Sequence, residues 1–471
     1  MKMYVAGQWI EGRRTQPVVN PFDGSVVDTV PMATADDVER ALAAAVRGAE
    51  AMRRLPAYER ARILRRAADL LAARSEEFAR TITLEEGKII KEARTEVARA
   101  VEVLVLSAEE GKRLYGEVVP LDAAPGITTQ FGFTIRVPCG VVVAISPFNF
   151  PLNLVMHKVG PALAAGNSVV VKPASDTPLS ALKLVEVLLE AGVPAEGVQC
   201  ITGSGREVGE ALCADPRVRK VTFTGSRDVG ERICTVAGLK RVTMELGSNS
   251  PLIVMPDADL ERAAAAIAST GYANAGQVCI SAQRVIGLRP IYGELIDALR
   301  PKVEAIRVGN PLEERTAMGP LVREAEAERV EAWVREAVAG GARVVVGGER
   351  RGALYPATVV ADVDPRMRLS REELFGPAVA LTPAETIEEA IALANDSAYG
   401  LAASIFTRDL DRAMRFAREV QSGNIHINWG PQWRADLMPY GGLKGSGFGK
   451  EGPRYAVAEM TETKMVVMHL E

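Results

Sequence analysis

The chain has 471 residues, of which 48% are hydrophobic and 25% are charged, so the sequence predicts two or three globular domains with ordinary cores. Its formal net charge of −4 argues against a dedicated, strongly basic nucleic-acid surface. Five scattered cysteines without a CxxC pair, three histidines without ligand spacing and no long apolar segment predict a reduced, cytoplasmic protein with no metal site and no membrane span.

The first part of the chain changes from helical to extended patterns. Residues 34–112 have helical periodicity, and Thr34-Ala35-Asp36-Asp37 has the form of a capping box at a helix start. Residues 118–137 nearly alternate between apolar and polar positions, and Gly126 and Gly132 interrupt the alternation. This segment therefore predicts a β-hairpin or ribbon.

Short apolar strands then alternate with helices in two series. In the first series, strands are predicted at 141–145, 168–171, 198–201, 218–223 and 242–246, with helices at about 153–165, 178–191, 205–214 and 227–237. In the second, strands are predicted at 251–255, 283–288, 343–346, 402–406 and 424–427, with helices near 259–275, 291–305, 321–339, 386–394 and 409–420. The spacing indicates an α/β protein with two parallel sheets, and residues 461–470 alternate as a final strand.

Two strand-to-helix turns are candidates for binding a dinucleotide. Residues 202–209 are similar to GxGxxG but have one extra residue before the last glycine, and residues 223–226 lack the lysine of a P-loop. Either turn is also explained as a tight turn with a helix cap. Both follow strands, however, and open parallel sheets bind ligands at the carboxyl ends of their strands. Lys172 ends another strand and either joins this site or only caps the sheet edge.

Three residues have the chemistry needed to act on a carbonyl group. Cys279 follows a glycine-containing segment and is a potential nucleophile, and Glu245 ends a strand and is a potential base. Asn149 lies in a loop fixed by two prolines, where a side-chain amide suits an oxyanion hole. The alternatives are a buried structural cysteine, a carboxylate at the sheet edge and an asparagine that serves a turn.

Together these segments resemble the aldehyde dehydrogenase superfamily, from about Tyr4 to the C-terminus. The matching segments are Pro-Phe-Asn-Phe-Pro at 147–151, Lys-Pro-Ala at 172–174, Phe-Thr-Gly-Ser at 223–226, Met-Glu-Leu-Gly at 244–247, Gly-Gln-Val-Cys at 276–279, Glu-Leu-Phe-Gly-Pro at 373–377 and Tyr-Gly-Gly-Leu-Lys at 440–444. Residues 277–284 look most like the branch that contains lactaldehyde, non-phosphorylating glyceraldehyde-3-phosphate and succinate-semialdehyde dehydrogenases.

The resemblance implies NAD(P)-dependent oxidation of a small aldehyde to its carboxylic acid. Cys279 would form a hemithioacetal and then a thioester, Asn149 and the Cys279 backbone N–H would hold the oxyanion, and Glu245 would activate water. The implied cofactor-binding residues are Ile145, Ser146, Pro147, Phe148, Lys172, Ser175, Gly205, Phe223, Gly225, Ser226, Val229, Leu246, Glu373 and Phe375.

Two positions bear on specificity. NAD-preferring members of the family often have a glutamate where this chain has Ser175, and a carboxylate there repels a 2′-phosphate. We therefore expect NADP to be accepted as well as NAD, and a preference for NADP is the hypothesis that Ser175→Glu would test. Arg434 precedes the 440–444 motif near the expected substrate mouth, where it either binds a substrate carboxylate or phosphate or pairs with Asp436.

The resemblance also implies a domain layout. Residues 1–117 and 138–246 would form a Rossmann-like cofactor-binding domain, 247–430 a catalytic domain, 118–137 and 450–471 an oligomerisation arm, and 431–449 a loop that returns to the substrate mouth. Strand edges in the arm predict a homodimer or homotetramer.

Three other functions are consistent with parts of the pattern. They are a CoA-acylating dehydrogenase, against which Glu245 argues; a non-catalytic protein that has kept the fold; and a phosphorylating glyceraldehyde-3-phosphate dehydrogenase, which pairs its cysteine with a histidine.

Overall fold

The structure is a computed structural model that describes all 471 residues. The helices are α1 (Ala35–Arg54), α2 (Ala57–Ala73), α3 (Ser75–Glu86), α4 (Ile90–Gly111), α5 (Asn153–Ala164), α6 (Leu179–Ala191), α7 (Glu210–Ala214), α8 (Arg227–Ala237), α9 (Leu260–Tyr272), α10 (Arg289–Glu304), α11 (Glu324–Ala339), α12 (Arg368–Arg371), α13 (Ile387–Asn395), α14 (Leu410–Glu419) and α15 (Pro453–Glu459).

The strands are β1 (Met3–Val5), β2 (Gln8–Ile10), β3 (Thr15–Val19), β4 (Val26–Pro31), β5 (Val118–Val119), β6 (Gln130–Pro138), β7 (Val141–Ile145), β8 (Ser168–Lys172), β9 (Val198–Cys200), β10 (Val218–Thr224), β11 (Arg241–Glu245), β12 (Pro251–Val254), β13 (Arg284–Leu288), β14 (Arg343–Val346), β15 (Thr358–Ala361), β16 (Ala378–Ala384), β17 (Ala402–Phe406), β18 (Asn424–Ile427), β19 (Gly447–Phe448) and β20 (Thr461–His469).

The first large sheet has eight strands in the order β19-β11-β10-β7-β8-β9-β1-β2. Its five central strands run parallel, as the sequence predicts, and β19, β1 and β2 add antiparallel edges. Every residue of β7 and β8 is buried, because helices cover both faces of the sheet. Helix α1 begins at the predicted capping box, in which Thr34 accepts a hydrogen bond from the Asp37 backbone N–H.

The second large sheet has seven strands in the order β14-β15-β16-β13-β12-β17-β18, all parallel except β14. Strands β15 and β16 were not predicted from the sequence. Strand β15 has only four residues, and Pro383 lies near the end of β16, where a proline weakens the pattern of a strand. The two parallel sheets confirm the predicted α/β class.

The predicted ribbon is part of a separate three-stranded antiparallel sheet in the order β20-β6-β5. Strand β20 pairs along the whole of β6, from Thr461 opposite Pro138 to His469 opposite Gln130. The helix α15, which precedes β20, packs against α4 and α5 instead of joining this sheet. No helix in the chain combines the length and the apolar character that a membrane crossing needs.

Candidate active site

The carboxyl ends of four parallel strands form one edge of the first large sheet. In the register of the sheet, Ile145 lies opposite both Lys172 and Phe223, and Thr224 lies opposite Glu245. The strand ends β7, β8, β10 and β11 are therefore side by side. This arrangement brings the predicted phosphate-binding turn and the candidate base to the same edge, as parallel pairing requires.

Cys279 follows a tight turn after α9. Asn274, Ala275 and Gly276 all have left-handed backbone conformations, with φ of +50°, +54° and +70°. A Cβ atom on Gly276 would lie 2.2 Å from the Gly376 carbonyl oxygen, so only glycine fits there. This turn ends the helical segment of α9 before Cys279, and Cys279 lines a cavity.

The amide of Asn149 is fixed to the segment that leads into Cys279. Its Nδ2 donates a hydrogen bond to the Gln277 carbonyl oxygen at 2.8 Å, and this is its only bond to the protein. The second N–H of the amide therefore remains free, and Oδ1 also lacks a protein partner. A fixed amide donor, bound two residues before a candidate nucleophile, is suited to an oxyanion hole.

A buried ion pair between Lys88 and Glu96 stabilises the loop that contains Asn149. Lys88 Nζ donates to the Asn149 carbonyl oxygen at 2.6 Å and to Glu96 at 2.5 Å, and both side chains are almost fully buried. The other Glu96 oxygen accepts hydrogen bonds from the backbone N–H groups of Leu152 and Asn153, both at 3.0 Å. One lysine and one glutamate thus tie the loop to the start of α5.

Glu245 is 2% exposed, and neither of its carboxylate oxygens has a hydrogen-bond partner in the protein. Burial raises the pKa of Glu245 well above its usual value, and the nearby Glu451 carboxylate raises it further. Arg434 and Lys158 act in the opposite direction. An unpaired buried carboxylate with a raised pKa is suited to accepting a proton from water.

The Cys279 thiol lies 3.2 Å from the hydroxyl of Tyr440. Burial raises the pKa of Cys279 to about 12, and the Tyr440 hydrogen bond and the Arg434 charge oppose this rise. The thiolate is the reactive form, so these two contacts favour reactivity.

Arg434 lies in the same cavity, and its side chain is only 6% exposed. Its Nη1 is 3.1 Å from Glu451, and its guanidinium lies 3.8 Å from the ring centroid of Tyr440. Its Nε is buried without a partner. The alternative of a hydrogen-bonded pair with Asp436 is not what the structure contains, because Asp436 pairs with Arg99 at 2.7 Å.

The candidate dinucleotide residues include several polar groups with few protein partners. Lys172 is buried, its Nζ donates only to the Pro173 carbonyl oxygen, and burial lowers its pKa to about 8. Ser146 Oγ is buried without a partner. The side chain of Ser226 does not cap α8, so the helix N-terminus keeps free N–H groups at the sheet edge.

The remaining candidate residues surround the same region. Gly225 packs so closely on the Phe223 ring that a Cβ atom would lie 2.4 Å from it, and Val229 is 48% exposed on α8. Leu246 is buried. Ser175 Oγ donates to the Gly203 carbonyl oxygen at 3.2 Å, just before Gly205.

Glu373 and Phe375 lie between β15 and β16 of the second large sheet. Glu373 accepts a hydrogen bond from the Ser248 backbone N–H at 2.8 Å, and burial raises its pKa to about 7. Phe375 packs edge-to-face on Phe148, which follows Pro147, with ring centroids 5.8 Å apart. Lys172, the Ser146 hydroxyl and the N-terminus of α8 lie at the first sheet, and Glu373 comes from the segment of the second sheet. With the Phe148–Phe375 contact between the two segments, these groups fit a dinucleotide that bridges the two sheets.

Comparison with known proteins identifies the family. The sequence model of the aldehyde dehydrogenase family matches residues 9–466.

The chain belongs to the aldehyde dehydrogenase family.

Three proteins illustrate the similarity. The 3-sulfolactaldehyde dehydrogenase of Priestia aryabhattai is 49% identical over 99% of this chain and 98% of its own. The structure of aldehyde dehydrogenase 21 from Physcomitrella patens, in complex with the reaction product succinate, has a TM-score of 0.96 and 40% identity over 99% and 98% of the two chains. The NADP-dependent glyceraldehyde-3-phosphate dehydrogenase of Bacillus halodurans, complexed with NADP, has a TM-score of 0.98 and 35% identity over 100% and 99%.

This aldehyde dehydrogenase is therefore an NAD(P)-dependent oxidoreductase that acts on an aldehyde. Its cavity around Cys279 also contains groups that the sequence analysis did not select, namely Arg99, Asn153, Tyr440 and Glu451. Arg99 lies on α4 among other charged residues, and its sequence context is that of a solvated helix face. Tyr440 stands in a recognised motif, but nothing in the sequence shows its contact with Cys279.

Proposed function

We propose that this aldehyde dehydrogenase oxidises a short aldehyde that carries an anionic group, and that it accepts NADP. The observation that carries the proposal is the buried Arg434 in the cavity of Cys279, with an Nε that no protein group satisfies. Arginine suits carboxylate, phosphate and sulfonate groups because it offers several donors in one plane. The names of the similar proteins point the same way, since sulfolactaldehyde, succinate and glyceraldehyde 3-phosphate are all anionic.

The first half-reaction would use Cys279 and Asn149. The thiolate attacks the aldehyde carbon, a C–S bond forms, and the carbonyl oxygen becomes an oxyanion held by Asn149 Nδ2 and the Cys279 backbone N–H. When bound, the nicotinamide accepts the hydride. Loss of the hydride from the hemithioacetal carbon restores the C=O bond and leaves a thioester on Cys279. The hydrogen bond from Asn149 to the Gln277 carbonyl oxygen, two residues before the nucleophile, supports this role.

The second half-reaction would use Glu245. Its carboxylate takes a proton from water, the hydroxide attacks the thioester carbon, and the C–S bond breaks to release the acid and the thiolate. The lack of any protein partner for either Glu245 oxygen supports this role, because both lone-pair sets remain available to water. The base acts when it is deprotonated, so deacylation should accelerate as the pH rises through the raised pKa of Glu245.

The cofactor site would contain the residues on both sides of the cleft. Lys172, Ser175 and the N-terminus of α8 would bind the adenosine and phosphate end, and Glu373 and Phe375 the nicotinamide end. The hydroxyl of Ser175 carries no charge, and the neighbouring Asp176 is paired with Arg323 at 2.7 Å. Both features reduce repulsion of a 2′-phosphate, which supports acceptance of NADP.

A comparison of anionic and neutral aldehydes tests the role of Arg434. Arg434→Gln should raise KM for succinate semialdehyde by roughly 10- to 150-fold relative to propanal, since a hydrogen bond to a charged group contributes about 1.5–3 kcal/mol. Effects on the chemical step appear with both aldehydes and cancel in this ratio. Arg454→Gln, at an exposed arginine of α15, is the control. An equal rise in KM for both aldehydes would show that Arg434 does not bind the anion.

We also propose that the protein is a cytoplasmic homo-oligomer. The three-stranded sheet exposes apolar side chains on β6 and β20, including Phe131, Ile135, Met465 and Val467. Exposed apolar residues on an edge of this kind indicate a partner surface. The five free cysteines support a reducing compartment. Native mass spectrometry should give a dimer or tetramer, and a monomer at micromolar concentration would refute the assembly.

A further inference from the structure

One buried amide in the substrate cavity has no partner. Asn153 is the first residue of α5 and is 1% exposed. Its backbone N–H is fixed by Glu96 at 3.0 Å, but its Oδ1 is buried without a hydrogen bond, and its side-chain nitrogen donates to no protein group. The side chain lines the same cavity as Cys279 and Arg434. Buried polar groups are nearly always paired in native proteins, so a fixed and unpaired amide indicates a position where a ligand group binds.

Apart from Gln432, the other polar groups of the cavity have protein partners or roles in the proposed reaction. Arg99 pairs with Asp436, Thr224 accepts from Lys158 at 2.6 Å, and Tyr440 contacts the nucleophile. Glu245 has the proposed role of activating water. The cavity contains two side-chain amides, those of Asn153 and the partly exposed Gln432, and neither has a protein partner. Each amide has an oxygen that accepts hydrogen bonds and a nitrogen that donates them, so it can bind a neutral ligand group that does both.

The Oδ1 atom of Asn153 limits which chemical groups of a ligand can bind there. This oxygen can only accept a hydrogen bond, so a carboxylate, phosphate or sulfonate cannot satisfy it at neutral pH. A hydroxyl group can satisfy both Oδ1 and the amide nitrogen. Asn153 lies four residues after Asn149, at the start of the helix that follows the oxyanion loop. Lys88 binds the Asn149 carbonyl oxygen and Glu96, and Glu96 binds the Asn153 backbone N–H, so one ion pair connects Asn153 to the oxyanion loop. This connection favours a ligand group close to the reacting carbonyl.

We propose that Asn153 is a specificity residue that hydrogen bonds a hydroxyl on C2, the carbon next to the reacting carbonyl. The substrate class would then be 2-hydroxy aldehydes, with the anionic group farther along the chain at Arg434. The proposal rests on the proposed aldehyde oxidation but not on the role of Arg434, because the neutral pair of lactaldehyde and propanal differs only in the C2 hydroxyl.

The test measures kcat/KM for both enantiomers of lactaldehyde and for propanal with NADP. The wild-type enzyme should prefer one enantiomer of lactaldehyde to propanal by about tenfold or more, because a site built to bind a hydroxyl discriminates against the analogue that lacks it. Asn153→Leu should lower this ratio by about tenfold and remove the preference between enantiomers, with kcat/KM for propanal changed less than threefold. Differences in hydration and electrophilicity of the aldehydes cancel between wild type and variant.

Gln432→Leu is the matched control, since it removes the other unpaired amide of the cavity and should leave the ratio unchanged. The inference is overturned if wild type treats lactaldehyde and propanal alike, if Asn153→Leu keeps the ratio, or if Gln432→Leu loses it. Asn153→Ala is measured in the same way should the leucine variant not fold. Failure of wild type to oxidise any of the three aldehydes would instead refute the proposed function.

Discussion

Replacing Lys88 with methionine perturbs the oxyanion site without touching the substrate cavity. The change removes the donor at 2.6 Å from the Asn149 carbonyl oxygen and leaves Glu96 buried without its counter-charge. Removing one partner of a buried pair costs about 3–5 kcal/mol, so the free energy of unfolding should fall by roughly that amount. Displacement of a catalytic donor by about 1 Å can cost roughly 10²-fold in rate. We therefore expect kcat to fall about 10- to 100-fold with little change in KM for NADP.

A double-mutant cycle separates positioning from general destabilisation. If Lys88 acts through Asn149, then Lys88→Met should have little further effect on kcat in an Asn149→Ala background. Lys91→Met, at an exposed lysine three residues along the chain, should change neither kcat nor the urea midpoint. Rates would be measured by NADPH absorbance at saturating aldehyde. Additive losses of kcat in the double variant, or an unchanged kcat in Lys88→Met with a lowered urea midpoint, would refute the positioning role.

Three other predictions follow from the same site. Ser175→Glu should shift the NADP/NAD ratio of kcat/KM toward NAD by at least roughly tenfold, about 1.4 kcal/mol, because the new carboxylate repels a 2′-phosphate; an unchanged ratio would count against this position. The rate of Cys279 alkylation by iodoacetamide should rise steadily from pH 7 to 10 without a plateau, since its pKa is about 12, and Tyr440→Phe should slow it at each pH by removing a hydrogen bond that lowers the pKa; a plateau below pH 9 would contradict the burial effect. The product should be the free acid with or without CoA, because Glu245 activates water, whereas a thioester of CoA would indicate the acylating reaction.

The sequence was sufficient to predict the fold class and several candidate residues, because short segments contain both the structural pattern and the reactive side chains. The alternation of apolar strands and helices predicts the α/β class, and the ends of those strands make Lys172 and Glu245 candidates. Parallel pairing then places these two residues on one sheet edge. Cys279 was a candidate from the sequence because small residues come shortly before it, and in the structure one of them, Gly276, lies where a Cβ atom would clash.

The rest of the site depends on contacts between distant parts of the chain. Lys88 meets Asn149 across 61 residues, and Tyr440 meets Cys279 across 161. Nothing in the local pattern around Lys88 distinguishes a buried lysine from a solvated one. Arg434 illustrates the same limit, because the sequence places Asp436 beside it, whereas folding pairs it with Glu451. Such partners are decided by tertiary packing and not by local periodicity.

The domain layout remains a prediction, although the pairing of strands bears on it. Strand β19 comes from the segment expected to be a loop at the substrate mouth, and it pairs with β11 at the edge of the eight-stranded sheet. The pairing brings the chain after Tyr440 back to the strand that ends at Glu245. A returning segment of this kind links the substrate cavity directly to the sheet that holds the candidate cofactor residues.

The central claim is that oxidation proceeds through a thioester on Cys279 that Glu245 releases, and Glu245→Gln tests it most directly. Rapid mixing of this variant with NADP and aldehyde should give a burst of about one NADPH per subunit, followed by turnover slowed roughly 10²- to 10⁴-fold by loss of the base. Intact and peptide mass spectrometry should then find the acyl group on Cys279, and a Cys279→Ala variant should give neither burst nor adduct. Steady turnover at the wild-type rate, or a burst without an acyl group on Cys279, would contradict the account.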